Sequence, residues 1–409
     1  LNLANSWHNV NNSEHAVFLS GNGPLVDVLR EALARNEVAS NKEVGERVKK
    51  TTTISKAKAF IQNIHHFRDD ALSSDKPPIE KVVIFDEAQR AWTLKQTADF
   101  MRTKKGHHNF QMSEPEFLIS ALDRHKDWAT IVCLIGGGQE INTGEAGLQE
   151  WFDSLNRSFP EWQIHVSSKL TDDEYTRGRP LWSMTQSPRV HTNDNLHLAV
   201  SVRSYRSEKV SAFVKALLDI QIDEAKELCP EVNTTYPIVV TRDLLHAKKW
   251  LREKARGSER FGIVASSGAT RLRPYGIHVK SDMNPIYWFL NSKDDVRSSY
   301  YLEEVATEFA IQGLELDWTC VAWDADMRFE AGQWNMKGFR GTTWQDVNNP
   351  DARLYLKNAY RVLLTRARQG MVIFIPKGRK TDPTRSPEFY DGTFDYLMSL
   401  GLPELKDSI

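Results

Sequence analysis

Cysteine is scarce in this 409-residue sequence, which contains only Cys133, Cys229 and Cys320. These three lie far apart and form no C-x-x-C pair, which excludes a disulfide framework and argues against a structural zinc site. So few cysteines are typical of a reducing compartment, and we therefore expect a cytoplasmic protein.

The sequence also lacks long apolar runs, a secretory leader and an excess of either charge. No apolar stretch approaches the roughly 20 residues of a membrane-spanning helix, and the opening LNLANSWHNVNNSEH does not have the pattern of a signal peptide. We therefore expect no membrane partner. The 53 basic and 54 acidic side chains give a formal net charge of −1. This excludes a globally basic nucleic-acid-binding protein but not a local basic surface.

A third absence concerns phosphate binding. No segment matches G-x-x-x-x-G-K-[S/T], the glycine loop that cradles nucleotide phosphates. The sequence begins with Leu1 rather than methionine, and we expect it to be a fragment with further residues upstream.

The sequence does contain an alternation of short, β-rich apolar runs with segments of helical periodicity. This alternation predicts an α/β architecture of two domains, with mainly parallel sheets flanked by helices. A polar segment with glycine and proline at 171–194 predicts a linker between domains 1–180 and 195–409. The predicted strands are 16–20, 82–85, 130–135, 163–166, 196–200, 238–241, 261–265, 318–322 and 371–375. The predicted helices are 25–34, one that begins at the cap residue Ser113, 207–218, 242–256 and 354–366.

An acidic pair follows the second predicted strand. Residues 82–90 read VVIFDEAQR, so that a buried strand ends in Asp86 and Glu87. Carboxylates at such a place are costly to desolvate without a cation or a hydrogen-bond donor, and the carboxyl edge of an open α/β sheet is where ligands bind. The pair fits the magnesium and water side of a nucleotide hydrolase. The alternative is that Asp86 simply caps the following turn.

The next strand opens into glycines and an amide. Residues 130–140 read TIVCLIGGGQE, in which Gly138 allows close approach of the backbone to a phosphate. Gln139 offers a donor and an acceptor to a γ-phosphate or to its attacking water. The alternative is a glycine-rich turn with a solvated glutamine.

The second half of the chain contains further candidates for phosphate contact. The segment 307–321, TEFAIQGLELDWTCV, has Gly313 in a loop ahead of Glu315 and a strand. The segment 358–368, NAYRVLLTRAR, ends a helix with arginines that fork onto phosphate oxygens or complement the helix dipole. Arg203 and Arg206 follow a predicted strand within VRSYRS. The basic stretch 102–108, RTKKGHH, is a candidate nucleic-acid contact or a solvated loop.

In this order the segments resemble the conserved motifs of superfamily 1 helicases and translocases. They are most similar to the Schlafen group 3-type DNA/RNA helicase domain, from residue 16 to about residue 376. The resemblance implies two RecA-like P-loop NTPase domains that hydrolyse Mg²⁺·ATP in the cleft between them. Single-stranded DNA or RNA is the implied partner, with a possible fused or associated effector domain.

The resemblance also assigns roles to residues. Asp86 is expected to bind the Mg²⁺ of ATP, Glu87 to orient the attacking water, and Gln139 to sense the γ-phosphate. Arg366 is expected to act as an arginine finger from the second domain. The remaining positions expected at the nucleotide or nucleic acid are Gly138, Arg203, Arg206, Gly313 and Glu315.

This sequence departs from the family pattern in two places and lacks one motif. Gly137 stands where many relatives have an acid, and Gln312 stands where lysine is common. The resemblance places the glycine loop just upstream of Leu1, which implies that this fragment alone binds ATP poorly or not at all. Two other functions stay open, a nucleic-acid-sensing ATPase switch without processive unwinding and a scaffold without a phosphate loop.

Overall fold

The computed structural model of the chain describes residues 15–106, 109–136, 147–171, 187–197 and 206–406. The chain divides into two compact units, Leu1–Ala199 and Val200–Ile409. Each unit is built around its own parallel sheet.

The sheet of the first unit consists of β1 (His15–Ser20), β2 (Ile61–Asn63), β3 (Glu80–Asp86) and β4 (Thr130–Cys133). The strands are all parallel and lie in the order β2-β1-β3-β4. β1 and β3 are almost wholly buried, which explains their unbroken apolar runs. Because neighbouring strands are parallel, their carboxyl ends share one edge, where Ser20 is in register with Asp86.

Helices pack against this sheet, and four of those described begin at a side-chain cap. The helices described in this unit are α1 (Gly23–Glu43), α2 (Lys50–Phe60), α3 (Ile64–Leu72), α4 (Leu94–Lys105), α5 (Glu114–Leu122) and α6 (Gln149–Ser158). The predicted start of α5 is confirmed, because Ser113 Oγ accepts a hydrogen bond from the backbone N of Glu116 at 3.2 Å. Asn22 caps α1 in the same way, and α1 continues well beyond the predicted end at residue 34.

A small parallel pair, β5 (Ile164–Val166) and β6 (Val190–Thr192), follows in the chain. β6 lies inside the segment 171–194 that the sequence predicts to be a linker. The division between the units falls later, at Ala199 and Val200. Residues 172–186 lie outside the described part of the chain.

The main sheet of the second unit has five parallel strands, β7 (Ile238–Thr241), β8 (Phe261–Ala265), β9 (Val305–Thr307), β10 (Leu316–Ala322) and β14 (Ala367–Phe374). Their order is β7-β14-β10-β8-β9, which places β10 at the centre between β14 and β8. All residues of β8 and β10 are buried. The helices described here are α7 (Arg206–Leu218), α8 (Ile222–Thr235), α9 (Leu244–Lys254), α10 (Pro285–Leu290), α11 (Glu308–Ile311), α12 (Pro350–Leu364) and α13 (Glu388–Ser399).

An antiparallel sheet that the sequence analysis missed is inserted between β10 and α12. Its strands are β11 (Met327–Glu330), β12 (Gln333–Arg340) and β13 (Thr343–Asp346). Ala331 and Gly332, between β11 and β12, have φ of 50° and 79°. Two consecutive positive φ values give the twist that a tight two-residue hairpin requires.

The predicted α/β class, with mainly parallel sheets flanked by helices, is confirmed. The strands predicted at 238–241 and 261–265 coincide with β7 and β8. The helix predicted at 242–256 is shorter, because Asp243 caps its start and its last residue is Lys254. Most of the strand predicted at 196–200 lies outside the described residues. In the part of the chain that the structure describes, no helix is long and apolar enough to cross a membrane.

Two aspartates that follow β10 are buried in the second unit, each 1% exposed. Asp324 Oδ1 accepts a hydrogen bond from Tyr390 Oη at 3.0 Å, and its Oδ2 accepts from the backbone N of Arg271 at 2.9 Å. Asp326 Oδ1 accepts from Tyr360 Oη at 2.6 Å, and that hydroxyl accepts from the Asp324 backbone N at 3.3 Å. This buried carboxyl cluster therefore connects α12, α13 and the loop after β8.

Burial changes the acidity of both aspartates. Burial first, and then the neighbouring charge of Asp326, raises the pKa of Asp324 to about 7. Burial likewise raises the pKa of Asp326. A carboxyl whose pKa is raised binds its proton more tightly in the folded chain than in the unfolded chain, so protonation favours folding.

We expect the contribution of Asp324 to the free energy of unfolding to fall as the pH rises. The loss should begin near the unfolded aspartate pKa of ~3.9 and level off above the folded value of about 7. Other carboxylates with lowered pKa values change stability in the opposite direction, so the measurement compares the wild type with Asp324→Asn, which imitates the protonated carboxyl. Urea denaturation at about pH 5 and about pH 8 gives the free energy of unfolding of both proteins. Relative to the wild type, the variant should be more stable at the higher pH than at the lower one. An equal difference at both pH values would contradict the raised pKa.

Candidate functional site

The acidic pair lies at the carboxyl end of β3. Asp86 is the last residue of the strand, and Glu87 follows it with φ 55° and ψ 45°, in the left-handed region. For a residue that has a β-carbon, the left-handed conformation costs about 1–2 kcal/mol. Such strain concentrates at functional sites and persists only where the surrounding structure imposes it.

Backbone hydrogen bonds impose this turn. The backbone N of Ala88, a fully buried residue, donates to the carbonyl of Leu134 at 2.9 Å. The indole Nε1 of Trp151 donates to the carbonyl of Ala88 at 2.8 Å. The turn is therefore fixed to the chain that follows β4 and to α6, and the packing of the unit sets the position of Glu87.

Gln89 links the acidic pair to the next motif. Its side-chain Nε2 donates to Glu87 Oε2 at 2.6 Å, and its Oε1 accepts from the backbone N of Gly136 at 3.2 Å. Its own carbonyl accepts from the backbone N of Gly147 at 3.0 Å, and the residue is 1% exposed. No role was expected for Gln89 from the sequence. The signal available was an amide three residues beyond the strand-end acid Asp86.

The predicted Gly138 and Gln139 lie outside the described residues. The chain that leads to them is described as far as Gly136. Phe85 is in register with Cys133, and the backbone N of Leu134 donates to the Phe85 carbonyl at 2.9 Å. This pairing brings the start of the glycine motif beside the acidic pair.

Asp86 is the residue with which the first unit could hold a metal. Among the described residues, no group of three or more His, Cys, Asp or Glu side chains is arranged to bind a metal ion. Magnesium does not need such a group, because it keeps several waters and binds through one or two carboxylates together with substrate phosphates. The donor set at Asp86 therefore fits a nucleotide-bound Mg²⁺ rather than a metal held by the protein alone.

A buried arginine behind the acidic motif has no counterpart in the sequence analysis. Arg68 is 0% exposed, its Nη1 lies 3.7 Å from Glu114 Oε1, and its guanidinium lies 4.8 Å from the ring of Phe100. Burial lowers the pKa of Arg68. Glu114 Oε2 also accepts from the backbone N of Trp92, at 3.1 Å. The pair thus supports the segment that follows the acidic motif, and the one sequence signal was an arginine on the apolar face of α3.

In the second unit the structure brings three predicted residues together. Arg366 follows α12, is 3% exposed, and donates from Nη1 to the carbonyl of Leu314 at 3.4 Å and from Nε to that of Val362 at 3.3 Å. Leu314 stands between Gly313 and Glu315. Gly313 has φ +78°, a left-handed turn conformation that glycine adopts without strain.

The other two predicted arginines cannot be placed in this site. Arg203 lies outside the described residues. Arg206 is the first residue of α7, and its side chain is not among those described.

No protein with a curated description matches this chain. Among solved structures, the crystal structure of the Pyrococcus furiosus Hef helicase domain aligns with 96% of this chain and 91% of that chain, at 12% identity and a TM-score of 0.26. A TM-score this low carries no argument about fold or function.

A family comparison is more informative. The family described as Schlafen group 3, DNA/RNA helicase domain, matches residues 1–377. The matched range includes the acidic pair, the glycine motif and the contact between Arg366 and Leu314. The chain belongs to the Schlafen group 3 DNA/RNA helicase domain family.

Proposed function

We propose that this chain is the motor module of an ATP-dependent DNA/RNA helicase or single-strand translocase that hydrolyses Mg²⁺·ATP. Family membership supports a helicase-like function related to nucleic acid. The observation that carries the finer proposal is the Glu87 carboxylate, held in a left-handed turn after a buried parallel strand and hydrogen-bonded by Gln89. Adjacent acids at such an edge suit a hydrolysis in which one binds a cation and the other positions water.

Glu87 is the proposed base. Gln89 donates to Oε2 of the Glu87 carboxylate, which orients the group and leaves Oε1 to accept a proton from the attacking water. Gly136 holds the amide of Gln89 through its backbone N. The start of the glycine motif therefore sets the orientation of the base.

Asp86 is the proposed magnesium residue. Bound Mg²⁺ neutralises the charge that develops on the β- and γ-phosphate oxygens. Asp86 ends β3 opposite the buried Ser20, so strand pairing fixes its backbone at the carboxyl edge of the sheet. A single carboxylate here suits a cation whose remaining ligands are phosphate oxygens and water.

Arg366 is the proposed arginine finger. Its guanidinium is buried and donates to the carbonyls of Leu314 and Val362. Action on a phosphate requires that this guanidinium become accessible to phosphate oxygens, for which its planar fork provides a charge-assisted, bidentate contact. The bond to the Leu314 carbonyl connects the arginine to the segment between Gly313 and Glu315. We infer that phosphate contact at Arg366 depends on the position of this segment.

The first prediction concerns the base. Glu87→Gln keeps the size of the side chain but removes its ability to accept a proton, and we expect ATP turnover by the full-length protein to fall about 10²-fold or more. Phosphate release is measured with and without a single-stranded oligonucleotide. Glu161→Gln, an exposed acid of the same unit, should leave turnover unchanged. If Glu87→Gln turns over within a few-fold of the wild type, the assignment of the base is wrong.

The second prediction concerns the orientation of that base. Gln89→Ala removes both hydrogen bonds of the amide, and we expect kcat to fall by up to about 10²-fold with little change in KM for ATP, because Glu87 is present but misplaced. Thermal unfolding of the variant serves as the control for folding. A fall in kcat that merely follows a fall in Tm, or a rise in KM alone, would assign Gln89 to structure or to binding instead.

The third prediction concerns the finger. Arg366→Ala should cut turnover roughly 10³-fold. Because the side chain is buried, Arg366→Lys provides a second variant that keeps the charge and loses the fork; it should also be strongly impaired. Arg368→Ala is the matched control, since Arg368 lies two positions away, is 61% exposed and pairs with Asp317. Equal effects at the two positions would rule out a specific role for Arg366.

The alternative function has its own test. If a single strand stimulates the ATPase activity but no strand displacement is observed, the result would favour a nucleic-acid-sensing switch.

A further inference from the structure

Basic side chains are concentrated at one edge of the second unit. They are Arg271 and Arg273 after β8, Lys377, Arg379 and Lys380 after β14, and Arg340 at the end of β12. We call these six residues the basic surface. Because β8 and β14 both run parallel to the central β10, the loops that follow them emerge at the same edge of the sheet.

Direct contacts join the three segments. Arg271 Nη2 lies 3.3 Å from Oδ2 of Asp382, which belongs to the loop after β14. The guanidinium of Arg271 also lies 5.0 Å from the ring centre of Phe339, the neighbour of Arg340 in β12. The contacts of Arg271 therefore place the loop after β8 beside the loop after β14 and beside β12.

The charge on this surface is largely unneutralised. Apart from Arg271, its members are exposed, and within the described residues none of those five forms an ion pair. Asp382, the acid of the loop after β14, accepts a hydrogen bond from the Thr384 hydroxyl and pairs with the Arg385 guanidinium at 2.8 Å. These contacts, with Thr384 first, keep the pKa of Asp382 below its ordinary value. Clustered cations repel one another, and a polyanion removes that repulsion. The chain as a whole carries a formal charge of only −1.

The loop that carries three of these cations is preformed. Gly378 has φ +70°, and a β-carbon there would lie 2.7 Å from the carbonyl oxygen of Arg385. The backbone N of Arg379 donates to that same carbonyl at 2.7 Å. The close approach of the backbone fixes the loop, so Lys377, Arg379 and Lys380 are presented in a constant arrangement.

Aromatic rings lie beside the cations. Phe339 and Trp344, in adjacent strands of the inserted sheet, are half-buried with ring centres 5.1 Å apart. Tyr275, at the end of the turn that contains Arg271 and Arg273, is half-buried as well. Cations that follow a phosphate backbone together with rings on which bases stack are the features of single-strand binding surfaces.

We propose that the basic surface binds the phosphate backbone of single-stranded nucleic acid. The proposal rests on the proposed function and adds a contact surface for the nucleic acid, built from the loops after β14 and β8 together with the end of β12. None of the six residues belongs to the segments that the family resemblance assigns to the nucleotide.

The test is the affinity of the full-length protein for a fluorescein-labelled single-stranded oligonucleotide, measured by anisotropy over a series of salt concentrations. For the triple variant Lys377→Ala, Arg379→Ala and Lys380→Ala, we expect the affinity to fall roughly 10- to 100-fold at low salt. The slope of log K against log salt should become shallower by about 2, since each phosphate contact with a single strand contributes about 0.7. Tm and basal ATP turnover should stay unchanged.

The matched control removes the same charge at another place. Lys249→Ala, Arg252→Ala and Lys254→Ala remove three exposed cations from the second half of α9 in the same unit, and should change neither affinity nor slope. If both triple variants lost the same affinity for the oligonucleotide, or if the first lost none, the proposal that the basic surface binds nucleic acid would be wrong. Binding to vesicles rich in phosphatidylserine but not to the oligonucleotide would overturn the nucleic-acid assignment. Salt-dependent oligonucleotide binding by a protein without ATPase activity would contradict the motor function while leaving the surface intact.

Discussion

Parallel pairing within each main sheet is the constraint on which the rest of the molecule depends. It directs every loop that follows a strand to one edge, so the residues after β3 and β4 meet in the first unit and those after β8, β10 and β14 meet in the second. The strands themselves are covered by helices and consist mostly of apolar residues. Asp86 and Asp324 lie at these carboxyl edges, whereas Arg366 and Leu314 come just before β14 and β10 and lie at the opposite, amino edge.

The parts of the structure that depend on local pattern could be predicted from the sequence. Short apolar runs predicted β7 and β8 with the bounds that the structure shows. The prediction that Ser113 caps α5 was also correct. The parts that depend on distant contacts could not. The role of Gln89 requires the backbone of Gly136, 47 positions away. The burial of Arg366 follows from the pairing of Leu316 with Ala367, because this pairing places Arg366 within hydrogen-bond distance of the Leu314 carbonyl. No local periodicity encodes either contact.

Both candidate sites are organised by backbone groups more than by other side chains. The turn at Glu87 is held by the carbonyl of Leu134, and the guanidinium of Arg366 by the carbonyl of Leu314. A backbone acceptor is not lost when its own residue is substituted, but it moves with its loop. The positions of these groups therefore depend on the glycine-containing segments, through the side chain of Gln89 for Gly136 in the first unit and through the Leu314 carbonyl beside Gly313 in the second.

The buried carboxyl cluster gives the second unit a common anchor for the two regions to which we assign functions. Asp324 accepts a hydrogen bond from the backbone of Arg271, which belongs to the basic surface, while Asp326 accepts from Tyr360 on α12, the helix that leads to Arg366. The Tyr360 hydroxyl joins the two aspartates, since it accepts from the Asp324 backbone and donates to Asp326. A displacement of the loop after β8 would therefore act on Asp324, whose backbone N donates to the Tyr360 hydroxyl of α12. In a low-dielectric interior such bonds are costly to leave unmade, so loop and helix have a physical reason to move together.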